Sequence, residues 1–523
     1  MAVNNPRTTA NLAGVQNVMG VTDYRVLIVG QMISGTATAG VLESNIPNDA
    51  SEDTRWGATS QMAKLVRMYK KSNRVVQVDG IGIADNGSTK RVDLITFVGN
   101  ATAAGTFEFN IGGAKDHTFS LSVASGDAIA TTAAAARDLI NADTRVPFVA
   151  TATSGVLTLT AANAGTLAND YPIEVTGGDG TGTVATHTSP TPGATDPTAS
   201  TLATALTSVG ETRYQVIIWP FLEDGGSNTS LGDFLDLRFN PDAVVKDGRG
   251  FVTINDSHAN ILTNLGTLNN KNLVVGCYQN NATDGAYEGP HIKEWPQGLQ
   301  SYFAGVVALR MTDAVSVSQY VTTNASLDQF GGAAHASLPF FNTPMKGAAG
   351  IVDVGKGFTD AEIEQITDAG GMYTDNNLAR TEVITGEVPT TYKTDSGGNP
   401  DETWKFMNYA LTGSVIREFY WTNLRARYAQ SRLTTGDVKR GRDMANEVGV
   451  IAFCEKLYII LSGANYTLVE SGDDAIKFFK ENLDVIITKS TGKITISGIF
   501  PIVTQGRTIN MTIKVGFDLE TTS

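Results

Sequence analysis

YRVLIVGQM, residues 24–32, is an apolar run of strand length, and its composition is typical of a strand buried on both faces. The next patterned segment, SEDTRWGATSQMAKLVRMYKKSN (51–73), has acidic residues at its start, basic residues at its end and apolar residues at helical spacing between them. RVVQVDGIGI (74–83) again has strand composition. Strand, helix and strand in this order predict an α/β core.

The same alternation returns further along the chain. YQVIIWPF (214–221), GFVTIND (250–256) and NLVVGCY (272–278) are strand-like, and the segments between them are helix-like. We therefore predict an α/β core, with a parallel sheet covered by helices, that is built from residues 21–95 and 200–400.

Between the two parts of this core, residues 96–199 are rich in Ala, Thr and Gly. TFEFNIGG with HTFSLSV, and PFVATA with GVLTLTAA, predict two hairpins. SGDAIATTAAAARDLINAD (125–143) predicts a helix with Ser125 as its cap. Residues 177–200 are rich in Gly, Thr and Pro and predict a linker. We interpret the whole segment as an inserted β-rich α+β module with its linker.

The C-terminal part of the chain has mixed patterns. Residues 335–400 are predicted to be rich in loops, including GGMYTDNN and the turn cluster TDSGGNPDE. Long helices are predicted at about 402–430 and 436–462, followed by short strands and a helix. We interpret residues 401–505 as an α+β C-terminal domain.

Both chain ends are predicted to be extended arms. Residues 1–20 are polar, whereas GRTINMTIKVGFDLETTS (506–523) alternates apolar and polar side chains as a strand does. This strand needs an ordered sheet edge, either within its own chain as a hairpin with ITISGI (494–499) or in a neighbouring molecule. Its apolar residues are Ile509, Met511, Ile513, Val515, Phe517 and Leu519.

Composition limits the functional classes. The chain has 523 residues, 41% of them hydrophobic, and a net charge of −14, which argues against a general nucleic-acid binder. No apolar run is long enough to span a bilayer, and the N-terminus does not have the pattern of a secretory signal. Cys277 and Cys454 lie far apart in apolar contexts and are predicted to be buried free thiols.

Sequence signatures of catalysis are missing. The chain has no phosphate-loop, HExxH, CxxC or GxSxG motif, and its five histidines have no metal-ligand spacing. Asp85, Asp93 and Asp256 lie near predicted strand ends, where α/β enzymes bind ligands, but we interpret them as solvated loop carboxylates. We predict no catalytic, cofactor-binding or metal-binding residue. A chain of this size without a concentrated site indicates a role in assembly.

One stretch of this acidic chain is basic. In IREFYWTNLRARYAQSRLTTGDVKRGRD (416–443), Arg425, Arg432 and Lys439 recur every seven residues, which predicts a common helix face. The stretch is either a solvated helix face or a surface that docks on an acidic partner. Its basic residues are Arg417, Arg425, Arg427, Arg432, Lys439, Arg440 and Arg442.

Taken together, these segments resemble the tail sheath proteins of contractile-tailed bacteriophages, especially the Mu-like branch. GATSQMAKLVRMYKKSN (57–73) looks like that family's first core helix, and residues 95–175 are similar to its inserted module. RYQVIIWPFLEDGGSNTSLGDFLDLRF (213–239) resembles the following core strand and helix, and NLRARYAQSRLTTGD (423–437) resembles the C-terminal helical segment. Residues 335–400 resemble that family least clearly.

The resemblance implies a structural virion protein that assembles in the host cytoplasm. Subunits would form hexameric rings around the tail tube, and the rings would stack helically through the terminal arms. Contraction would drive the tube through the host envelope. The basic stretch would face the tube protein, and further partners would be baseplate and tail terminator proteins, with no membrane insertion and no direct contact with nucleic acid. The alternatives are another virion or type VI-like contractile assembly protein, and an α/β enzyme.

Overall fold

The structure is a computed structural model, and it describes most of the chain. The described residues are 24–85, 89–113, 117–221, 229–239, 245–279, 294–312, 336, 340, 343–345, 358–377, 382–434, 436, 444–463, 467–490 and 492–503. Within them, the fold is a mixed α/β structure with one large sheet, several smaller sheets and eleven α-helices. The predicted α/β class is confirmed at this level. Both predicted arms lie outside the described residues.

Twenty strands are found in the described part of the chain. The first ten are β1 (Arg25–Met32), β2 (Leu42–Glu43), β3 (Gln77–Ala84), β4 (Lys90–Val98), β5 (Gly105–Ile111), β6 (Thr118–Val123), β7 (Phe148–Thr153), β8 (Val156–Ala164), β9 (Ile173–Gly177) and β10 (Val184–Thr191). The others are β11 (Val216–Ile218), β12 (Arg249–Asp256), β13 (Leu273–Gln279), β14 (Pro344–Met345), β15 (Gly371–Asn377), β16 (Glu382–Thr385), β17 (Arg432–Leu433), β18 (Met444–Ala445), β19 (Asp484–Thr488) and β20 (Lys493–Ser497).

The helices are distributed along the whole described chain. They are α1 (Ser51–Trp56), α2 (Gln61–Ser72), α3 (Ile129–Asn141), α4 (Ala199–Thr207), α5 (Thr229–Arg238), α6 (His258–Gly266), α7 (Pro296–Thr312), α8 (Asp360–Asp368), α9 (Met407–Tyr428), α10 (Glu447–Ser462) and α11 (Asp473–Glu481).

The large sheet has the strand order β14-β16-β15-β13-β12-β11-β1-β3-β2 in the described residues. Six of its strands pair in parallel. At one end β2 pairs antiparallel with β3, and at the other β16 pairs antiparallel with both β15 and β14. The predicted parallel core is therefore confirmed. GGMYTDNN was predicted to be a loop, but most of it forms β15, because an ordered neighbouring strand, β13, is available for pairing.

Helices cover both faces of this sheet. Val26 and Ile28 of β1 pack in one apolar cluster with residues of α2 and α7, while Leu27 and Val29 pack in a second cluster with residues of α4, α5 and α6. Successive residues of one strand therefore enter opposite cores, as expected for a strand without a polar face. The Ser60 side chain caps α2 by accepting a hydrogen bond from the amide of Ala63 (3.1 Å).

The segment between β3 and β11 contains two smaller sheets. Their orders are β10-β4-β8-β7 and β6-β5-β9 among the described residues, and both predicted hairpins, β5–β6 and β7–β8, are confirmed. Thr89 and Ala194 form an antiparallel bridge, so the two chain ends of the insert meet. The strand β4 spans residue 95, the predicted domain boundary.

Two local predictions in the insert are wrong. Part of the predicted linker forms β10, because its alternating side chains can pair with β4. The predicted cap Ser125 does not cap α3, which begins at Ile129 without a side-chain cap; the Ser125 hydroxyl instead donates to the carbonyl of Thr102 (2.9 Å).

Helix α9 contacts both the α/β core and helix α10. Near its start the Arg249 guanidinium, from the α/β core, donates to the Ser414 hydroxyl (2.8 Å). Nearer its end the hydroxyls of Tyr420 and Tyr428 donate to backbone carbonyls of α10 (2.8 and 3.1 Å). The next helix, α10, begins at residue 447 rather than at the predicted 436, because Asn446 caps it by accepting from the amide of Gly449 (2.9 Å).

The core is continuous across the predicted domains. A single cluster of buried apolar residues includes Val26 of the core, Phe97 of the insert and Leu457 of α10. Both cysteines are buried and free, as predicted. Among the described residues, no helix combines the length and the apolar character needed to cross a membrane.

Candidate assembly sites

The crevice in which doubly wound α/β proteins bind ligands is partly occupied here by the insert. Strand order reverses between β1 and β11, and ligands of such folds bind beyond the carboxyl ends of the strands at this point. The Trp295 indole at the start of α7 donates to the carbonyl of Leu167 in the insert (3.3 Å). Tyr171 of the insert stacks on Trp295 with 4.9 Å between ring centroids. Both aromatic side chains are buried, so this part of the crevice is a packed interface.

The helix N-terminus nearest this crevice is also occupied. The Gln61 amide in the first turn of α2 donates to Asn163 Oδ1 of the insert (2.9 Å), and Asn163 Nδ2 donates to the carbonyl of Met32 at the end of β1 (3.4 Å). Asn163 is buried. An amide oxygen of the chain itself thus takes the position in which such folds hold an anionic ligand. Nothing in the residue pattern around Asn163 indicated this role.

The three aspartates near strand ends have structural partners. The Asp85 carboxylate accepts a hydrogen bond from the Ala164 amide (3.0 Å), and Asp256 accepts one from the Asn260 side chain (2.9 Å). Asp93 is fully buried, so its interpretation as a solvated loop carboxylate is wrong. It pairs with Arg91 (2.8 Å) and His187 (3.0 Å). Burial raises the pKa of Asp93, but hydrogen bonds from His187 and Arg91 outweigh it and hold that pKa below its ordinary value.

The structure removes Arg417 from the predicted basic surface. Its side chain is buried, pairs with Asp247 and lies 4.6 Å above the Phe239 ring. Burial lowers the pKa of Arg417 to about 10. A guanidinium buried against Asp247 inside the fold cannot face a second protein.

Arg425, Arg427 and Arg432 are exposed. The Arg425 guanidinium lies 5.0 Å from the centroid of the Trp421 ring, and that of Arg427 lies 4.7 Å from the centroid of Phe453. Among the described residues, none of the three arginines has a carboxylate partner. Three guanidiniums without a described carboxylate partner, two of them stacked on aromatic rings, suit an acidic partner surface.

The predicted seven-residue helix face is wrong in its geometry. Helix α9 ends at Tyr428, and Arg432 lies in the short strand β17 that pairs with β18. Lys439, Arg440 and Arg442 lie outside the described residues. The surface that the structure describes therefore combines the end of a helix with a strand.

A second candidate site is the hairpin β19–β20. One face of the hairpin is buried through its own side chains Val485, Ile487, Ile494 and Ile496. Within the described residues its sheet has two strands. The edge of a sheet offers backbone groups with which a further strand can pair. The predicted arm strand, Ile509 to Leu519, lies outside the described residues.

Comparison with known proteins gives one informative sequence relative. The chain is 29% identical over 246 residues to the Mu-like prophage FluMu tail sheath protein of Haemophilus influenzae, a match that covers 46% of this chain. The match spans about half the length of that relative, 49%. It confirms the predicted resemblance to Mu-like tail sheath proteins. No family model matches the chain.

Two solved structures overlap with the chain at low sequence identity. The sheath tail protein of Desulfitobacterium hafniense has 12% identity and a TM-score of 0.48, covering 94% of this chain and 96% of its own. The sheath tail protein of Listeria innocua has 11% identity and a TM-score of 0.47, covering 98% of this chain and 99% of its own.

Proposed function

We propose that this chain is a structural subunit of a contractile phage tail sheath, and so a component of the virion. The observation that carries the proposal is the 246-residue similarity to a Mu-like prophage tail sheath protein. In the proposed assembly, subunits form hexameric rings around a tail tube, the rings stack helically, and contraction drives the tube through the host envelope. The tube, baseplate and tail terminator proteins are the partners.

The partly occupied crevice favours this function over the α/β enzyme. An enzyme of this architecture needs room for substrate beyond the carboxyl ends of the strands. Here Asn163, Leu167 and Tyr171 of the insert occupy part of that region through buried contacts. The same contacts join the insert firmly to the core, which suits a subunit that transmits force.

The terminal arms are the proposed links between subunits. In this proposal, residues 1–20 and 506–523 extend to neighbouring subunits and add strands to the β19–β20 hairpin. Backbone hydrogen bonds of such a strand keep neighbours connected while the bodies of the subunits rotate. The α/β core (21–95 and 200–400), the module (96–199) and the C-terminal domain (401–505) then act as the body.

The proposed contact with the tube uses Arg425, Arg427 and Arg432, together with the neighbouring Lys439, Arg440 and Arg442. Exposed guanidiniums that have no carboxylate partner among the described residues gain the most from an acidic partner, because no described ion pair must first be broken. Arg417 is excluded from this set, since Asp247 already pairs with it.

Electron microscopy of the purified full-length chain at high concentration tests the proposal. Hollow cylinders with a central bore wide enough for a protein tube are expected, either from the chain alone or after mixing with its tube protein. Single particles under both conditions would contradict the proposed function.

A further inference from the structure

The buried Arg417 is held between an aromatic ring and a carboxylate. Its guanidinium lies 4.6 Å from the centroid of the Phe239 ring and pairs with Asp247. The ring covers one face of the planar guanidinium and leaves the N–H groups at the edge available to donate, so one arginine makes both contacts. We call this arrangement a ring–arginine–acceptor unit.

Two other buried arginines form units of the same kind. The Arg91 guanidinium lies 5.8 Å from the centroid of the Phe148 ring and pairs with Asp93 (2.8 Å). The Arg238 guanidinium lies 4.5 Å from the centroid of the Phe234 ring and donates to two backbone carbonyls (3.0 and 2.6 Å). In each unit the ring is accompanied by an oxygen acceptor at the edge of the guanidinium.

The last turn of α9 has two such rings and arginines without the carboxylate. The Arg425 guanidinium lies 5.0 Å from the centroid of the Trp421 ring, and that of Arg427 lies 4.7 Å from the centroid of the Phe453 ring of α10. Both arginines are exposed, and neither has a carboxylate partner within the described residues. Each is therefore a unit whose acceptor position is open to a second molecule.

The supporting rings are fixed by the fold. Trp421 and Phe453 are partly buried and pack against the main apolar cluster. Tyr428, whose hydroxyl accepts a hydrogen bond from Arg427 Nε (3.2 Å), is buried. A guanidinium that is already oriented loses less conformational freedom when its edge binds a carboxylate. Arg432 of β17 has no ring contact of this kind in the described part of the chain, so it supplies charge without a fixed orientation.

We propose that Arg425 and Arg427 each bind a carboxylate of the tail tube protein through the edge of the stacked guanidinium, as Arg417 binds Asp247 inside the fold. These two arginines determine the specificity of the contact, because only a guanidinium offers two parallel N–H donors to one carboxylate. Arg432 contributes long-range attraction alone. The inference rests on the proposed function, which supplies an acidic tube as the partner.

Charge-conserving substitution tests this inference in the full-length chain. The double variant Arg425→Lys, Arg427→Lys keeps the net charge and the helix propensity of α9 but removes the planar pair of donors. Arg432→Lys is the matched control, and co-sedimentation with preassembled tail tubes of the same virus measures affinity at several salt concentrations. The double variant is expected to bind at least about tenfold more weakly at every salt concentration, and the control within about twofold of the wild type, because only the double variant loses hydrogen bonds to carboxylates.

Urea unfolding separates a loss of binding from a loss of fold, and the double variant is expected to unfold at the same urea concentration as the wild type. Weaker tube binding together with a clear loss of stability would show a structural role and overturn the inference. Equal tube binding by the double variant and by Arg432→Lys would also overturn it and leave the proposed function standing. The absence of hollow cylinders from the wild type, with and without tubes, would instead contradict the proposed function.

Discussion

At the residue scale, the basic stretch shows that neighbouring arginines of one sequence pattern can have opposite roles. Arg417 neutralises the buried Asp247, whereas Arg425 lies exposed on the Trp421 ring. Charge count alone could not separate them, because the difference lies in Asp247, which is distant in sequence. The predicted basic surface is therefore divided: Arg417 forms an internal ion pair, and Arg425 stays on the surface.

Replacing each of these two arginines is expected to change the free energy of unfolding by different amounts. Arg417→Ala should lower the free energy of unfolding by about 3–5 kcal/mol, because the buried Asp247 carboxylate is left without a partner. Arg425→Ala should lower it by less than about 1 kcal/mol, the value of an exposed cation–π contact. Urea unfolding of both variants measures the difference. Equal losses would show that Arg425 is also an internal structural residue.

A second prediction concerns Asp93. Its pKa in the folded chain lies below the ordinary value, so its ionised form stabilises the fold above the unfolded-state pKa of about 4, and that stabilisation is lost as the pH falls through the folded-state value. Asp93→Asn leaves Arg91 without its buried counter-charge and should cost about 3–5 kcal/mol at pH 7.

Thermal unfolding of the wild type and of Asp93→Asn between pH 7 and pH 3 checks this expectation. The difference in Tm between the two proteins should be large at pH 7 and should narrow as Asp93 of the wild type becomes protonated. A difference that stays constant over this range would show that the charge of Asp93 does not stabilise the fold.

At the element scale, strands and hairpins followed the sequence more closely than caps and connections did. Alternation predicted β5–β6 and β7–β8, since a strand with one buried face has a direct period-two pattern. The strand β10 was missed because its threonines, serine and proline have linker composition, and only pairing with β4 makes it a strand. The contact of Asn163 with α2 has no local signal, since its partner lies 102 residues away.

The Asn163 contact predicts that the insert supports a helix of the core. Asn163→Ala should destabilise the chain by about 1–2 kcal/mol, because the buried Gln61 amide loses its acceptor. Hydrogen exchange of the first-turn amides of α2 should accelerate in this variant. Asn141→Ala, which removes hydrogen bonds inside the insert only, is the control and should leave exchange in α2 unchanged. Unchanged exchange in both variants would contradict the coupling.

At the scale of the whole molecule, the order of strands and helices was predictable. That the α/β core, the insert and α10 share one apolar cluster was not predictable. Composition changes near residue 95 predicted a separate module, and the chain ends of the insert do meet at Thr89 and Ala194. Yet Tyr171 of the insert stacks on Trp295 of the core, in an apolar cluster that extends to α10. Contacts between residues so distant in sequence leave no trace in local periodicity.

The proposed tube contact gives a prediction for the assembled protein. Reversal of Arg425, Arg427 and Arg432 to Glu should leave the monomer folded and abolish co-sedimentation with an acidic tube protein, because attraction becomes repulsion. Binding of the wild type should also weaken as salt rises. Reversal of the exposed residues Lys71, Arg74 and Lys477 is the control with the same change in charge. Equal tube binding by both triple variants would refute the assignment of this surface.

Helix α9 has a mechanical consequence. Its first half is fastened to the α/β core through Arg249 and Ser414, and its second half is fastened to α10 through Tyr420 and Tyr428. Helix α9 therefore connects α10 to the α/β core through one continuous helix of 22 residues. A displacement of α10 is therefore expected to move the α/β core with it, as one rigid unit.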